Sequence, residues 1–213
     1  MSKKEHPIAA LKAYLPENTF EPVVQYLELY KVHLTVAKER KSILGDYRSR
    51  TRTQAHRISV NGNLNRFAFL ITLLHELAHL LAFEKYGHQI LSHGREWKFV
   101  FGQLLAQFIE KNVFPDDIRR ALLHSLHDPA ASSCADEGLL RVLKRYDKNN
   151  QNLVFVEDLP EGALFKTHDG KVFRKGERMR KRYRCEEVKT KRLYLFSPVY
   201  EAEPLQPALP DKD

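Results

Sequence analysis

The chain has 213 residues, 43% of them hydrophobic, and a formal net charge of +8. Such a chain can bury one good core with a small appendage. Its two cysteines, Cys134 and Cys185, stand far apart with no C-x-x-C pair, which excludes a cysteine zinc ribbon and argues against a disulfide framework.

Met1 to His6 is polar and Pro7 follows at once, so no secretory leader is expected at this end. Residues Pro7 to Leu15 and Glu21 to Tyr30 carry helix-like apolar spacing, divided by the turn signal Pro16-Glu17-Asn18. The period then changes. Val32 to Val36 alternates, as does His56 to Val60, and each suits a half-buried strand. Between them Lys41 to Thr53, with Gly45-Asp46 and several arginines, is expected as a loop or a short middle strand. Asn61 to Asn65 offers cap residues for a long helix over about Leu64 to Tyr86.

That helix carries the most informative residues. His75-Glu76-Leu77-Ala78-His79 reads H-E-x-x-H, the pattern of zinc-dependent hydrolases. Positions i and i+4 project from one helix face, so two imidazoles can meet one ion. Glu76 lies about a quarter-turn away, where a carboxylate could deprotonate a bound water. The apolar residues Phe67 to Leu74 and Leu80 to Phe83 mark a buried helix. Two histidines and a glutamate buried there would each cost a few kcal/mol unless partnered, and one cation partners all three. A metal-free hydrogen-bonded pair is the bland alternative. Thr72, His75, Glu76 and His79 interrupt the segment, so a membrane span is not expected and the chain should be soluble and cytoplasmic.

His93-Gly94 follows after the interruption at Gly87, at the mouth of a second helix over about Arg95 to Lys111. His93 is the favoured third ligand, ahead of Glu96 and His88. Three histidines leave one coordination position open for water, as catalytic zinc needs. The metzincin pattern fails, since it wants glycine at 82 and histidine at 85 where this chain has Ala82 and Lys85.

A third helix is expected from Pro115 to His127, then a boundary at Asp128 to Gly138 and a short helical piece at Leu139 to Tyr146. Beyond it the chain turns β-rich, with strand-like Leu153 to Val156, Ala163 to Lys166 and Arg192 to Phe196. The turn His168-Asp169-Gly170 is a strong hairpin signal. The expected organisation is a domain over 1–130, a linker and short helix over 131–150, a basic β-rich module over 151–203 and a loose tail over 204–213. Lys171 to Arg192 holds eleven Lys or Arg against three Glu, which equals the whole-chain excess of +8. Concentrated so, the charge favours a polyanion partner, DNA or RNA, through Arg174, Lys175, Arg178, Arg180, Lys181, Arg182 and Arg184. Phe173, Tyr183 and Tyr194 are interleaved and would stack bases; alternatively they form the buried face of a small sheet.

Together these residues resemble a SprT-like domain, the zinc-metallopeptidase family that includes the Spartan DNA–protein crosslink proteases. The resemblance rests on Ile58-Ser59-Val60-Asn61, Leu64, Leu70 to His79, and His93-Gly94-Arg95-Glu96-Trp97, with Lys41 to Arg48 similar to a segment of bacterial members. It implies an α+β, zincin-like metallopeptidase domain: a central HExxH helix, a small sheet and flanking helices. It also implies Zn²⁺ ligands at His75, His79 and His93 and a catalytic acid/base at Glu76. Many members end in a four-cysteine zinc ribbon, which this chain lacks. Residues Leu153 to Val199 resemble instead a metal-free module of some bacterial relatives that carry a transcription-elongation label.

Two functions are therefore expected. One is a zinc endopeptidase acting on protein substrates near nucleic acid, with Tyr86, Arg95 and Tyr47 as nearby polar candidates for the oxyanion. The other is a nucleic-acid or transcription-complex binding protein whose zinc site is structural or vestigial.

Overall fold

The computed structural model describes residues 7–40, 43–126, 136–147 and 152–205. The fold is mixed α and β, in two compact units, Met1–Asp147 and Lys148–Asp213.

In the first unit a 3-10 helix, Ile8–Tyr14, anchors Leu11 in the core and stops before Pro16. Helix α1 covers Phe20–Leu29 and buries Val23 and Leu27, one turn apart. A three-stranded sheet follows, formed by β1 (His33–Ala37), β2 (Gly45–Arg48) and β3 (Arg57–Asn61) in the order β1-β3-β2. β1 runs parallel to β3, with Leu34 opposite Ile58, and β2 runs antiparallel to it, with Gly45 opposite Val60. The segment expected as a loop or middle strand is thus an edge strand. Its partner β3 takes the centre, with its own Ile58 and Val60 buried.

Helix α2 (Arg66–Tyr86) packs against the sheet on one side and against α3 (Arg95–Glu110) on the other. Being covered this way explains its sequence: Phe69 to Ala78 is buried without a break, so no polar stripe is needed. By length and hydropathy alone α2 could cross a membrane, but most of it is buried inside this unit. Asn65 starts the helix two residues later than Leu64, because its side-chain oxygen accepts from Ala68 N at 2.9 Å. Gly87, at φ 73°, ends it, its N–H bonded to the Phe83 carbonyl. α3 follows the i, i+3, i+4 rule, burying Trp97, Val100, Phe101, Leu104, Leu105 and Phe108.

α4 (Asp116–Leu126) and α5 (Glu137–Lys144) complete the unit. α5 corrects the expected boundary near 130. Its Leu139 and Leu143 sit in the first unit's core, and Asn65 Nδ2 donates to Leu143 O at 3.0 Å and to Asp147 Oδ1 at 2.7 Å. The intervening 127–135, most of the expected boundary, lies outside the described residues.

The second unit is one antiparallel sheet in the order β4-β9-β5-β6-β7-β8. Its strands are β4 (Val154–Phe155), β5 (Leu164–Lys166), β6 (Val172–Met179), β7 (Arg182–Glu187), β8 (Leu193–Phe196) and β9 (Glu201–Leu205). The expected hairpin turn joins β5 to β6, with Gly170 at φ 83°. The basic stretch forms β6 and β7, which charge had hidden from a period-2 reading. Pro204 and Leu205 pair with Phe165 and Leu164 in β9, so the tail begins later than expected, and its remainder, 206–213, is outside the described residues. Between Lys175 and Arg178 the ladder bulges, where a Cβ on Gly176 would run into the Arg184 carbonyl.

Candidate metal centre and basic face

α2 aims His75 and His79 from one face, and a turn before α3 brings His93 to them. The turn is closed by Gly94 N donating to Leu91 O at 2.9 Å. His93 itself stands at φ 60°, a left-handed conformation costly for a side chain of this size. In return its Nε2 lies 3.1 Å from His75 Nε2 and 3.0 Å from His79 Nε2. Tetrahedral ligation at zinc–nitrogen distances near 2.0–2.1 Å would set such atoms about 3.3 Å apart. These atoms are already close to that spacing. Among the described residues, His75, His79 and His93 are the group whose ligand atoms could hold a metal. Of the rival third ligands, His88 packs edge-on against Phe83, ring centroids 4.6 Å apart, and Glu96 is not among the converging groups.

The floor of the centre is Trp97, fully buried, with its ring centroid 4.6 Å from His75, 5.1 Å from His79 and 4.6 Å from His93. Phe101 stacks beneath it at 5.0 Å. In this apolar setting burial holds the imidazoles unprotonated. His75 is pushed down to about 3 and His79 to about 4, with neighbouring histidines adding to the effect, and His93 is lowered by burial. Neutral imidazole is the ligating form. The donor set fits a divalent cation.

Glu76 is buried beside this cluster. Burial first, then the charge of Asp46, pushes its carboxyl up to about 8, while Arg40 pulls it down. β2 reaches it through Gly45, where a Cβ would lie 2.8 Å from Glu76 Cγ and 2.8 Å from Thr72 Cγ2. Glycine there lets the edge strand close on the carboxylate. Arg40 is a residue the sequence reading missed. Its guanidinium donates to Asn61 Oδ1 at 2.8 Å and Ser59 Oγ at 2.9 Å, which fixes a positive charge near Glu76. An arginine just past a strand gives no signal of that role. Among the proposed oxyanion donors, Tyr47 has its hydroxyl 3.0 Å from His56 Nδ1. Tyr86 lies under the Lys85 ammonium at 5.2 Å, and Arg95 is exposed at the start of α3.

In the second unit the seven expected cations divide. Arg174, Arg178, Arg180, Lys181, Arg182 and Arg184 are exposed along β6, β7 and their turn. Arg180 makes that turn at φ 48°. Lys175 is a correction. It is 6% exposed, and its ammonium donates to Glu157 O at 3.0 Å and to Leu159 O, over the face of Tyr183. Inward-pointing alternation on β6 puts it in the module's interior, out of reach of a phosphate. Of the aromatic residues, Phe173 behaves likewise. Phe173 is 3% exposed and packs on Phe165, while Tyr194 lies edge-on to Phe173 and donates to Glu187. Phe173 thus belongs to the buried face of the sheet, whereas Tyr183 is half-buried and Tyr194 exposed.

A buried H-E-x-x-H helix with a converging third histidine defines a protein of the metal-site class. The family model described as the SprT-like family matches residues 14–119, a span that holds all three histidines and Glu76. Through this domain the chain belongs to the SprT-like family. No curated protein and no solved structure matches it.

Proposed function

We propose that this protein is a cytoplasmic zinc-dependent endopeptidase acting on protein substrates associated with nucleic acid. The observation that carries the reading is the approach of three imidazole Nε2 atoms to within 3.0–3.1 Å of one another through His93, beside a buried carboxyl on the same helix. A purely structural site has no use for Glu76. His75, His79 and His93 would hold the ion, in a zincin-like arrangement. When bound, zinc supplies Lewis acidity that makes water a nucleophile near neutral pH and polarises a carbonyl. Glu76 takes the proton from the attacking water and returns it to the leaving amine. For this it must be ionised at the start; Arg40 only partly offsets the upward push of burial and Asp46, and the positive charge of a divalent ion on the three histidines would supply the rest. Its acid form after proton uptake is the one its buried site favours, which suits the second transfer. Gly45, which carries no Cβ, leaves the room that the carboxylate occupies.

The direct test is Glu76→Gln. The variant should keep zinc near one ion per chain and lose cleavage of casein or of DNA-bound protein by at least the hundredfold typical of general acid–base catalysis. Cleavage at the wild-type rate would remove Glu76 from the mechanism.

A second reading is favoured by the six exposed cations of β6 and β7: a nucleic-acid or transcription-complex binding protein whose metal site is structural. Replacing Arg180, Lys181, Arg182 and Arg184 by alanine should weaken DNA or RNA binding and flatten its salt dependence. Unaltered affinity would leave those residues as a solvated face.

A further inference from the structure

A second polar cluster, built around one buried histidine, adjoins the metal centre and takes no part in the chemistry above. Its middle is His56, 3% exposed, just before β3. His56 Nε2 lies 3.3 Å from Glu84 Oε1 on α2, and Glu84 also holds Arg50 Nε at 3.2 Å. On the other side of the ring, Nδ1 faces the Tyr47 hydroxyl at 3.0 Å and the Arg50 backbone N–H at 3.3 Å. A backbone N–H can only donate, so Nδ1 is the accepting nitrogen and Nε2 carries the proton toward Glu84. Tyr47 must then donate to His56, and its orientation is set by that bond.

Tyr47 also touches the metal centre. Its ring is parallel to that of His79, with an interplanar angle of 2° and centroids 6.4 Å apart, and is stacked on His56 at 5.9 Å. Trp97 lies on His79 from α3. His79 is less deeply buried than His75, so its ring depends more on such neighbours for its angle. A ligand imidazole must keep the ion in its ring plane, and groups behind the ligands that fix this plane commonly control affinity.

We infer that Tyr47, anchored by His56 and Glu84, is a positioning residue that sets the ring plane of His79 for metal binding. This rests on the proposed metal site but not on peptidase activity. It also accounts for His56, a polar residue buried outside the reacting groups.

The test is Co²⁺ affinity, by competition with a chelating dye, together with the visible cobalt spectrum of the full chain. Tyr47→Phe keeps the ring and loses the anchor, and should bind cobalt about tenfold more weakly with an altered spectrum; Tyr47→Leu should lose between about tenfold and a hundredfold. His56→Leu should match Tyr47→Phe. His56→Asn, whose amide oxygen can replace Nδ1 as acceptor, should restore most of the affinity. Thermal unfolding of the metal-free variants separates positioning from folding. A weakened Tyr47→Phe that unfolds at the wild-type temperature supports the inference. An affinity loss that merely follows the unfolded fraction overturns it, as do variants that bind within twofold of wild type with an unchanged spectrum. Wild-type protein that takes up no cobalt would overturn the metal site itself, a distinguishable failure.

Discussion

At the residue scale, the same side-chain type serves opposite ends according to where the backbone points it. Arg174 and Lys175 are neighbours in β6, yet one is exposed and the other buried with its ammonium on two carbonyls. Burial lowers the Lys175 pKa, and those carbonyls compensate the charge. Removing the ammonium takes a donor from the Glu157 and Leu159 carbonyls. Lys175→Met, which keeps most of the stem, should therefore cost about 1–3 kcal/mol in urea unfolding of the protein. It should leave nucleic-acid affinity unchanged; a variant of full stability with weakened binding would return Lys175 to the surface cluster. His93 shows a related trade. Its left-handed backbone is tolerated because the turn delivers a ring nitrogen to the two on α2.

At the element scale, α2 is the part of the fold most legible in the sequence. Its apolar run, cap residues and terminating Gly87 have local causes, and the ligand pair follows from helical spacing alone. His93 was legible as a candidate because it precedes a second helical pattern, but its φ and its approach are tertiary facts. β2 was obscure because a strand of four residues carrying Gly45, Asp46 and Arg48 has little apolar alternation to detect. β6 and β7 were hidden by their charge, and β9 by Pro204, which strands tolerate at few positions. The network of Tyr47, His56 and Glu84 joins residues from three separate segments, so no local motif announces it. α5 was misassigned for a related reason: the amphipathic pair Leu139 and Leu143 does not say which core it enters. Asn65 ties that helix to α2. Asn65→Ala should lower stability by about 1–2 kcal/mol through the lost cap alone, with a further loss from the bonds to Leu143 and Asp147. Unfolding at the wild-type midpoint would show that neither the cap nor the tie matters.

At the scale of the whole molecule, the chain divides its properties between two units. The first holds the family-matched span and the histidine cluster, buried in apolar surroundings that favour neutral imidazole. The second holds the stretch whose charge equals the net excess of the chain, with six cations exposed and Phe173 and Lys175 turned inward. The candidate metal site and the concentrated charge thus lie in different units.

The whole account depends on one cation being gathered by rings from α2 and from the turn ahead of α3. Metal content of the purified protein, wild type beside His93→Ala and measured by elemental analysis after dialysis against a weak chelator, tests this most directly. The wild-type chain should retain close to one zinc and the variant only a small fraction of that, with both folded by circular dichroism. A folded His93→Ala protein that keeps its zinc as firmly as wild type would contradict the three-histidine centre.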